Sequence, residues 1–542
     1  MLVRIVCILL LLCNSILIGP ALLEARGNQE GEQPVRFKAG YLANEPLHGP
    51  RTPLPWEQTT IQALLWQLVY DQLWMIGPAP DYEPIPRIAT RWESEDRKTW
   101  TFHLRNDVFF HNGSRCTAED VAASLQKART ADIDTITIMD AFTLQVTLSG
   151  PHPDTSPYPP FYHIPIVSED SFAEGNPLTQ LLSQAKAGNG SGPYTVETID
   201  GKGKITLQAF PRYWDRKPEI DTLVFTPFQQ ERALASALKQ GSIAMQGYSG
   251  IPHHLVSTFR NTEGCSRVQN PGLELCFMSY NLAPETPLRD IAVRRAIAHA
   301  IDRKTLIQEV YHGYALPIDT FLYPEHELYK SNLPRYTYHP YRAVRMLESS
   351  GYVDTDLEQD GIRNDPNTGK NLCFTLLLPD DPQFLHMAEL IVEQVKEIGI
   401  DIELEPKPAA SFYRYVRDGT SSGHDMLLYS LFPGPHLGWI WEMVSSPGEQ
   451  ENGGRLNTAF YGNEEVDSLV EAMGSEPSQT EYRKHAHRIQ QIVSEELPYL
   501  FLVRPIVIDI VPVSGYTGYT SSMGGLASRI NPWTYYLLRP KQ

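Results

Sequence analysis

The residue types that could do chemistry fail to assemble into a catalytic or metal site. His326-Glu327 opens like an H-E-x-x-H zinc motif, but Lys330 stands where the second imidazole is needed. GYSG at 247–250 and GSG at 190–192 lack the spacing of a nucleophile elbow. There is no C-x-x-C to hold zinc through thiolates, and no glycine-rich nucleotide or phosphate loop. His253-His254, His485 and His487 read as surface imidazoles rather than ligands. The stretch DTDLEQDGIRNDPNTGK (354–370) spaces the oxygens of Asp354, Asp356, Asp360, Asp365 and Asn367 in the manner of a calcium loop. Counted from Asp356, however, its twelfth position is Asn367 instead of a bidentate Glu, and Ile362 falls one place early. A solvated turn is the better reading, and no metal or cofactor is expected. What stands out instead is a set of aromatic residues beside loop glycines and prolines: Tyr41, Trp56, Trp66, Trp74, Tyr429, Phe432, Trp439 and Trp441. Rigid rings offer stacking area at low entropic cost, which favours a binding cleft over catalysis.

The elements that must position such residues interleave along a chain of 542 residues, enough for about three or four domains. The net charge of -18 supplies no basic stripe, so nucleic acid is excluded as a partner. MLVRIVCILLLLCNSILIGPALLEARG carries an early Arg4, an apolar run from Ile5 and small residues at Ala21 and Ala25. That is the layout of a secretory signal peptide over 1–25, and no later apolar stretch is long enough to span a bilayer. Cys13 raises a lipid anchor as an alternative, weakened because Leu12 stands where a small residue is usual. Cys265 and Cys276 flank SRVQNPGLEL, whose Asn-Pro-Gly centre predicts a hairpin and, in an oxidising compartment, a disulfide. Cys116 and Cys373 read as buried thiols.

Alternation predicts strands over 35–42 and 99–104, the latter followed by an Asn112-Gly113 turn. Thr117 and Asp120 form a capping box for a helix over 118–127. Further expectations are an amphipathic helix over 61–74, a glycine-rich crossover at 188–192, and a hairpin over 194–209. Val293, Ile297, Ile301 and Leu306 lie at helical spacing, and helices are expected over 231–240, 341–350, 390–398, 464–473 and 482–496. The chain is mixed α/β.

Several segments, taken in order, resemble one family. They are TWTFHLRNDVFFHNGSRCTAEDVAASL (99–125), SGPYTVETIDGKGKITLQAFPRYW (191–214) and MSYNLAPETPLRDIAVRRAIAHAIDRKTLI (278–307), then YHPYRAVRMLESSGY (338–352), NTAFYGNEEVDSLV (457–470) and RIQQIVSEELPYLFL (488–502). The family is the extracytoplasmic solute-binding proteins of peptide and nickel ABC importers. The resemblance implies an α/β, two-lobed periplasmic-binding-protein fold with a hinge (Venus-flytrap type, class II or cluster C) plus an extra domain. Lobe I would be 26–57, 188–280 and 505–542, with the extra domain at 58–187 and lobe II at 281–504. It further implies a monomer outside the cytoplasm that closes over a ligand and docks on the transmembrane subunits of an ABC permease.

Peptide-binding members hold their ligand as an added strand and pair its free amine with an Asp. The matching segment is HDMLLYSLFPGPHLGWIWEMV (424–444), where backbone at Leu427 and Tyr429 would meet the ligand. Leu431 occupies the Asp position, and Gly434 stands where a second acid is common, so Asp425 or Glu442 would have to substitute. Phe432, His436 and Trp439 belong to the same loop, with Pro435-His436 resembling the nickel-binding branch. Asn44 and Glu45 match the first cleft loop, so Tyr41 to Glu45 is a second candidate wall. A peptide is the leading ligand, with an oligosaccharide or a nickel chelate as alternatives. A secreted hydrolase, the reading from another class, lacks a nucleophile–base pair.

Overall fold

The computed structural model describes residues 34–43, 60–78, 83–128, 133–150, 160–161, 164–174, 189–247, 250–283, 286–354, 361–418, 424–431, 438–447, 456–476, 478–521 and 531–541. The expected signal segment and Cys13 lie outside them. In Thr99–Leu104, Trp100, Phe102 and Leu104 are buried while the intervening residues are half-buried, as period-two alternation predicts. This strand lies between Ala89–Glu93 and Thr143–Leu148 in a four-stranded antiparallel sheet completed by Ile133–Asp140. The helix Ala118–Ala128 covers it, opened by the Thr117 amide donating to Asp120 Oδ2 at 2.8 Å.

A second sheet of five strands runs in the order Met245–Gln246, Arg36–Leu42, Thr222–Phe228, Ile205–Ala209, Tyr194–Ile199. Its last two strands form the expected hairpin, while Arg36–Leu42 and Thr222–Phe228 are parallel. The glycine-rich segment leading into it presses against the Thr60–Val69 helix, where the Gly192 amide donates to the Val69 carbonyl at 2.9 Å. A Cβ on Gly190 would lie 1.9 Å from that same oxygen, so only glycine fits. The helix expected over 61–74 ends at Val69, and Trp74–Ile76 is a short strand.

The third sheet has seven strands and is organised by the 14-residue strand Tyr499–Pro512. Its first part pairs with Leu275–Tyr280 and its second with Cys265–Pro271. The hairpin expected around Asn270-Pro271-Gly272 therefore does not close, because the long strand lies between its two arms. Cys265 sits opposite Pro512 and Cys276 opposite Val503, far apart on either side of that strand. Both are free thiols, which overturns the expected disulfide. Cys373 is exposed at the first position of Cys373–Pro379, contrary to its reading as a buried thiol.

The crossing is tightly stapled. The Gly272 amide donates to the Pro505 carbonyl at 2.8 Å, and a Cβ there would lie 2.6 Å from that oxygen. Arg504, buried, donates from Nε to the Gly272 carbonyl at 2.8 Å and pairs with Glu325 at 2.8 Å. Its guanidinium lies 3.8 Å from the centre of the Tyr323 ring, whose hydroxyl donates to the Leu273 carbonyl at 2.5 Å. His253, expected at the surface, is half-buried here, with Nε2 2.6 Å from the Ile506 carbonyl and its ring stacked on Tyr314.

Helix ends follow local chemistry. The pattern through Val293 and Leu306 breaks into Ile291–Ala300 and Arg303–Glu309, because Ile301 is extended and Asp302 caps the second helix from the side. The helix expected over 390–398 begins at Pro382, where Asp381 accepts from the Gln383 and Phe384 amides.

The Ala89–Glu93 sheet region and the chain's end are joined by a buried ion pair. Arg87 binds Asp71 at 3.1 Å and Asp215 at 3.0 Å and hydrogen-bonds the Tyr213 hydroxyl. Trp214 Nε1 donates to Asp71 at 2.7 Å, and the rings of Trp533 and Tyr536 flank the guanidinium. Replacing Arg87 with Met leaves the Asp71 carboxylate buried without its cation. Loss of one partner of such a pair costs about 3–5 kcal/mol, so the denaturant midpoint of Arg87→Met should fall sharply. An unchanged midpoint would show that the pair contributes nothing.

Candidate functional site

The site that the fold offers lies where two parallel strands separate. Cys373–Pro379 pairs with Asp401–Lys407 along its full length, but with Met426–Leu431 only at Leu376↔Met426 and Leu377↔Leu427. Past Leu427 the Met426–Leu431 strand keeps Leu275–Tyr280 as its partner on one side. Among the described residues no strand pairs its other edge from Leu428 to Leu431. Ligands of open α/β sheets collect at the carboxyl ends of parallel strands, and an unpaired edge can accept an extended chain through backbone hydrogen bonds.

All six residues of MLLYSL are buried, as expected for a strand covered on both faces. Leu427, Tyr429 and Leu431 face one core with Phe277, Phe412, Tyr499 and Phe501. The Tyr429 ring lies 4.5 Å from that of Phe277, and its hydroxyl is 3.0 Å from Thr458 Oγ1. Met426 and Leu428 face a second core with Cys276, Met278, Leu376 and Leu378. The side chains of Leu427, Tyr429 and Leu431 are thus packing residues, and alternation in the antiparallel pair turns their backbone groups toward Leu275–Tyr280, with those of Leu428 and Ser430 on the strand's other edge.

Tyr41 is also buried. Its hydroxyl donates to the Gly203 carbonyl at 2.6 Å, and burial, aided by the nearby Asp200 charge, pushes its pKa up to about 12. Asn44, Glu45, Phe432 and His436 lie outside the described residues, as does the side chain of Trp439 in the Gly438–Val444 helix. Trp441 on the same helix is buried in the core with Tyr429.

Of the two substitute acids, Asp425 is at the wrong end. It stands six residues before Leu431, a span of about 20 Å along a strand. Its Oδ2 accepts from the Thr375 amide at 2.8 Å and from the Thr375 hydroxyl at 3.1 Å. Glu442 is half-buried on the Gly438–Val444 helix. An acid that the sequence reading missed is Glu274, one residue before Leu275, whose strand partner is Leu431. Its Oε1 lies 3.9 Å from Cys276 Sγ, which is 3.2 Å from the Tyr311 hydroxyl. The available signal was a lone carboxylate in the otherwise apolar run LELCFMSY. The Asp356–Asn367 loop falls partly outside the described residues. Asp365 within it accepts from the Asn367 amide and the Thr368 hydroxyl. No group of three or more metal-ligating side chains occurs among the described residues.

His424 precedes the site strand, its Nδ1 2.7 Å from the Tyr415 hydroxyl. Burial lowers its pKa to about 4, against smaller opposing effects from the Thr458 backbone and Asp425.

The architecture defines a class. The fold superimposes on the oligopeptide-binding protein AppA from Bacillus subtilis in complex with a nonapeptide, with a TM-score of 0.73 over 94% of this chain and 100% of that one at 19% identity. It is therefore the two-lobed periplasmic-binding fold. The family model of bacterial extracellular solute-binding proteins, family 5 (middle region), matches residues 83–444, and the chain belongs to that family. It is similar to the dipeptide-binding protein of Escherichia coli K12, 24% identical over 377 residues, which are 62% of this chain and 66% of that protein's length. It is also similar to the nickel-binding periplasmic protein of the same organism, 26% identical over 67% of this chain and 70% of the relative.

Two outcomes follow from the packing. Leu431→Asp would place a carboxylate among the rings of the core rather than create an ammonium site. It should destabilise the protein by at least ~3 kcal/mol, measured by chemical denaturation. A stable variant with stronger peptide binding would contradict this packing. His424 stays neutral in the fold down to about 4, while the unfolded chain takes up a proton near its ordinary 6.5. Stability from this group is full above pH 6.5 and is lost as pH falls toward 4, by up to ~3 kcal/mol. In Gln at this position the decline between pH 6.5 and 4 should be shallower than in wild type.

Proposed function

We propose that this protein is the ligand-capturing component of an ABC importer, exported through its 1–25 segment and working outside the cytoplasm as a monomer. It holds a peptide between two lobes and delivers it to the transmembrane subunits of a permease. The observation that carries the peptide reading is the strand edge at Leu428–Leu431. Side chains there are turned into two cores, so recognition falls to backbone groups, which suits an extended peptide of variable sequence. The names of the relatives, which include dipeptide- and nickel-binding proteins, support the same ligand range.

The proposed lobes are those the resemblance implies, with one adjustment. Leu275–Tyr280 shares a sheet with Met426–Leu431, which supports a first crossing at Gly272 and a second at Arg504-Pro505. Lobe I then comprises 26–57, 188–272 and 505–542, the extra domain 58–187, and lobe II the segment between the crossings. Closure about these two short connections would bury the ligand's polar groups, which must be matched to make closure favourable.

A thermal-shift screen with free tripeptides, oligosaccharides and nickel–histidine tests this, together with mass spectrometry of ligand that copurifies. Free peptides should raise the midpoint, since a ligand at 100 times its Kd stabilises the folded state by ~2.7 kcal/mol. Stabilisation by sugars or nickel–histidine alone, or turnover of any probe, would overturn the peptide reading.

A further inference from the structure

In the lobe division above, the extra domain is bound to lobe I by side chains that cross between them. Beyond the Arg87–Asp215 pair and the Trp214 bond to Asp71, Trp533 Nε1 donates to the Ile76 carbonyl at 2.8 Å. His111 Nε2 lies 3.0 Å from the Gly192 carbonyl. Lobe II is reached differently. From the turn between Ala89–Glu93 and Thr99–Leu104, Arg97 Nη2 donates to the Gly474 carbonyl at 3.2 Å, in the last turn of the Glu464–Ser475 helix. Resting on that lobe division, we propose that Arg97 is a latch that holds the two lobes closed and sets how long a captured ligand is retained.

The latch carries a cost in the backbone. Arg97 has a φ of 54°, in the left-handed region that disfavours a side chain and suits glycine. The turn holds it there. Asp96 Oδ1 accepts from the Lys98 amide at 2.9 Å and from the Thr99 amide at 2.7 Å, and the Arg97 carbonyl accepts from Trp100 Nε1 at 2.9 Å. None of these bonds uses the arginine side chain. Glycine would make the same turn with less strain, so the arginine is explained by what its guanidinium reaches.

The receiving end suits a cation. The last four carbonyls of a helix lack intrahelical donors and carry the negative end of its dipole. Glu464–Ser475 has no basic residue in its last turn, and the amide that caps it, from Glu476, returns to Met473 rather than to Gly474. Arg97 therefore supplies, from another domain, the charge this helix does not carry itself. Because the extra domain is tied to lobe I, opening about Gly272 and Arg504-Pro505 parts Arg97 from Gly474. A bond made only in the closed state lowers that state relative to the open one, and slows ligand release without touching the ligand.

The test compares Arg97→Gly with wild type in two ways. Small-angle X-ray scattering is measured without added ligand, and stopped-flow fluorescence follows dissociation of each free tripeptide that raises the melting midpoint. Arg97→Gly should fold, since glycine is at ease in this turn. It should show a larger radius of gyration and release tripeptides at least ~5-fold faster, with an association rate within about threefold of wild type. Arg91→Ala removes an exposed cation from the same sheet and should match wild type in both measurements. If Arg97→Gly does not fold, Arg97→Asn takes its place, because Asn tolerates the left-handed region but is too short to make the bond. Unchanged release in a folded variant overturns the latch, whatever the scattering shows. Equal acceleration by Arg91→Ala assigns the effect to net charge and overturns it too. If no tripeptide binds, the peptide reading falls and scattering alone decides: a larger radius for Arg97→Gly upholds the latch, and equal radii overturn it.

Discussion

Everything in the large sheet depends on one strand being longer than either of its partners. Tyr499–Pro512 leaves Leu275–Tyr280 at Val503 and takes up Cys265–Pro271 at Ile506. A backbone that changes partner must keep its hydrogen bonds satisfied through the gap. Here the gap is closed by Gly272 against Pro505 and by the Arg504 guanidinium on the Gly272 carbonyl. Both connections are short, and the bonds across them tie the two pairings of the long strand together.

The second constraint is the divergence of Cys373–Pro379 from Met426–Leu431 after two paired positions. It creates an edge inside a sheet rather than at its border. Exposed edges are ordinarily a hazard, because any extended chain can add to them. In this protein both faces of that strand are covered by side chains. Affinity can then come from backbone groups and from the ligand's ends, which explains how a binding protein can lack any recognisable constellation of functional side chains.

Local structure was legible where a pattern involves only near neighbours. The alternation of TWTFHL, the Thr117–Asp120 box and the 194–209 hairpin all form as their residues dictate. The Asn270-Pro271-Gly272 turn misled because a turn signal says nothing about a strand arriving from more than two hundred residues later. The disulfide expectation failed for that reason. MLLYSL has no periodicity to show which residues face a ligand, and only sheet topology reveals that Leu427, Tyr429 and Leu431 all point into a core. Glu274 was hidden for the same reason, since its place beside Leu431 depends on pairing across about 155 residues.

Amide hydrogen exchange across Met426–Leu431, with and without a saturating mixture of free tripeptides, probes the central claim most directly. If a peptide adds to the open edge, the amides of Leu428 and Ser430, which the antiparallel register turns toward it, should slow by at least ~10-fold on binding, because new backbone pairing must break before they exchange. The amides of Leu427, Tyr429 and Leu431, already directed at Leu275–Tyr280, should change little. Binding that leaves the Leu428 and Ser430 amides exchanging at their free rate would contradict the edge as the ligand's seat.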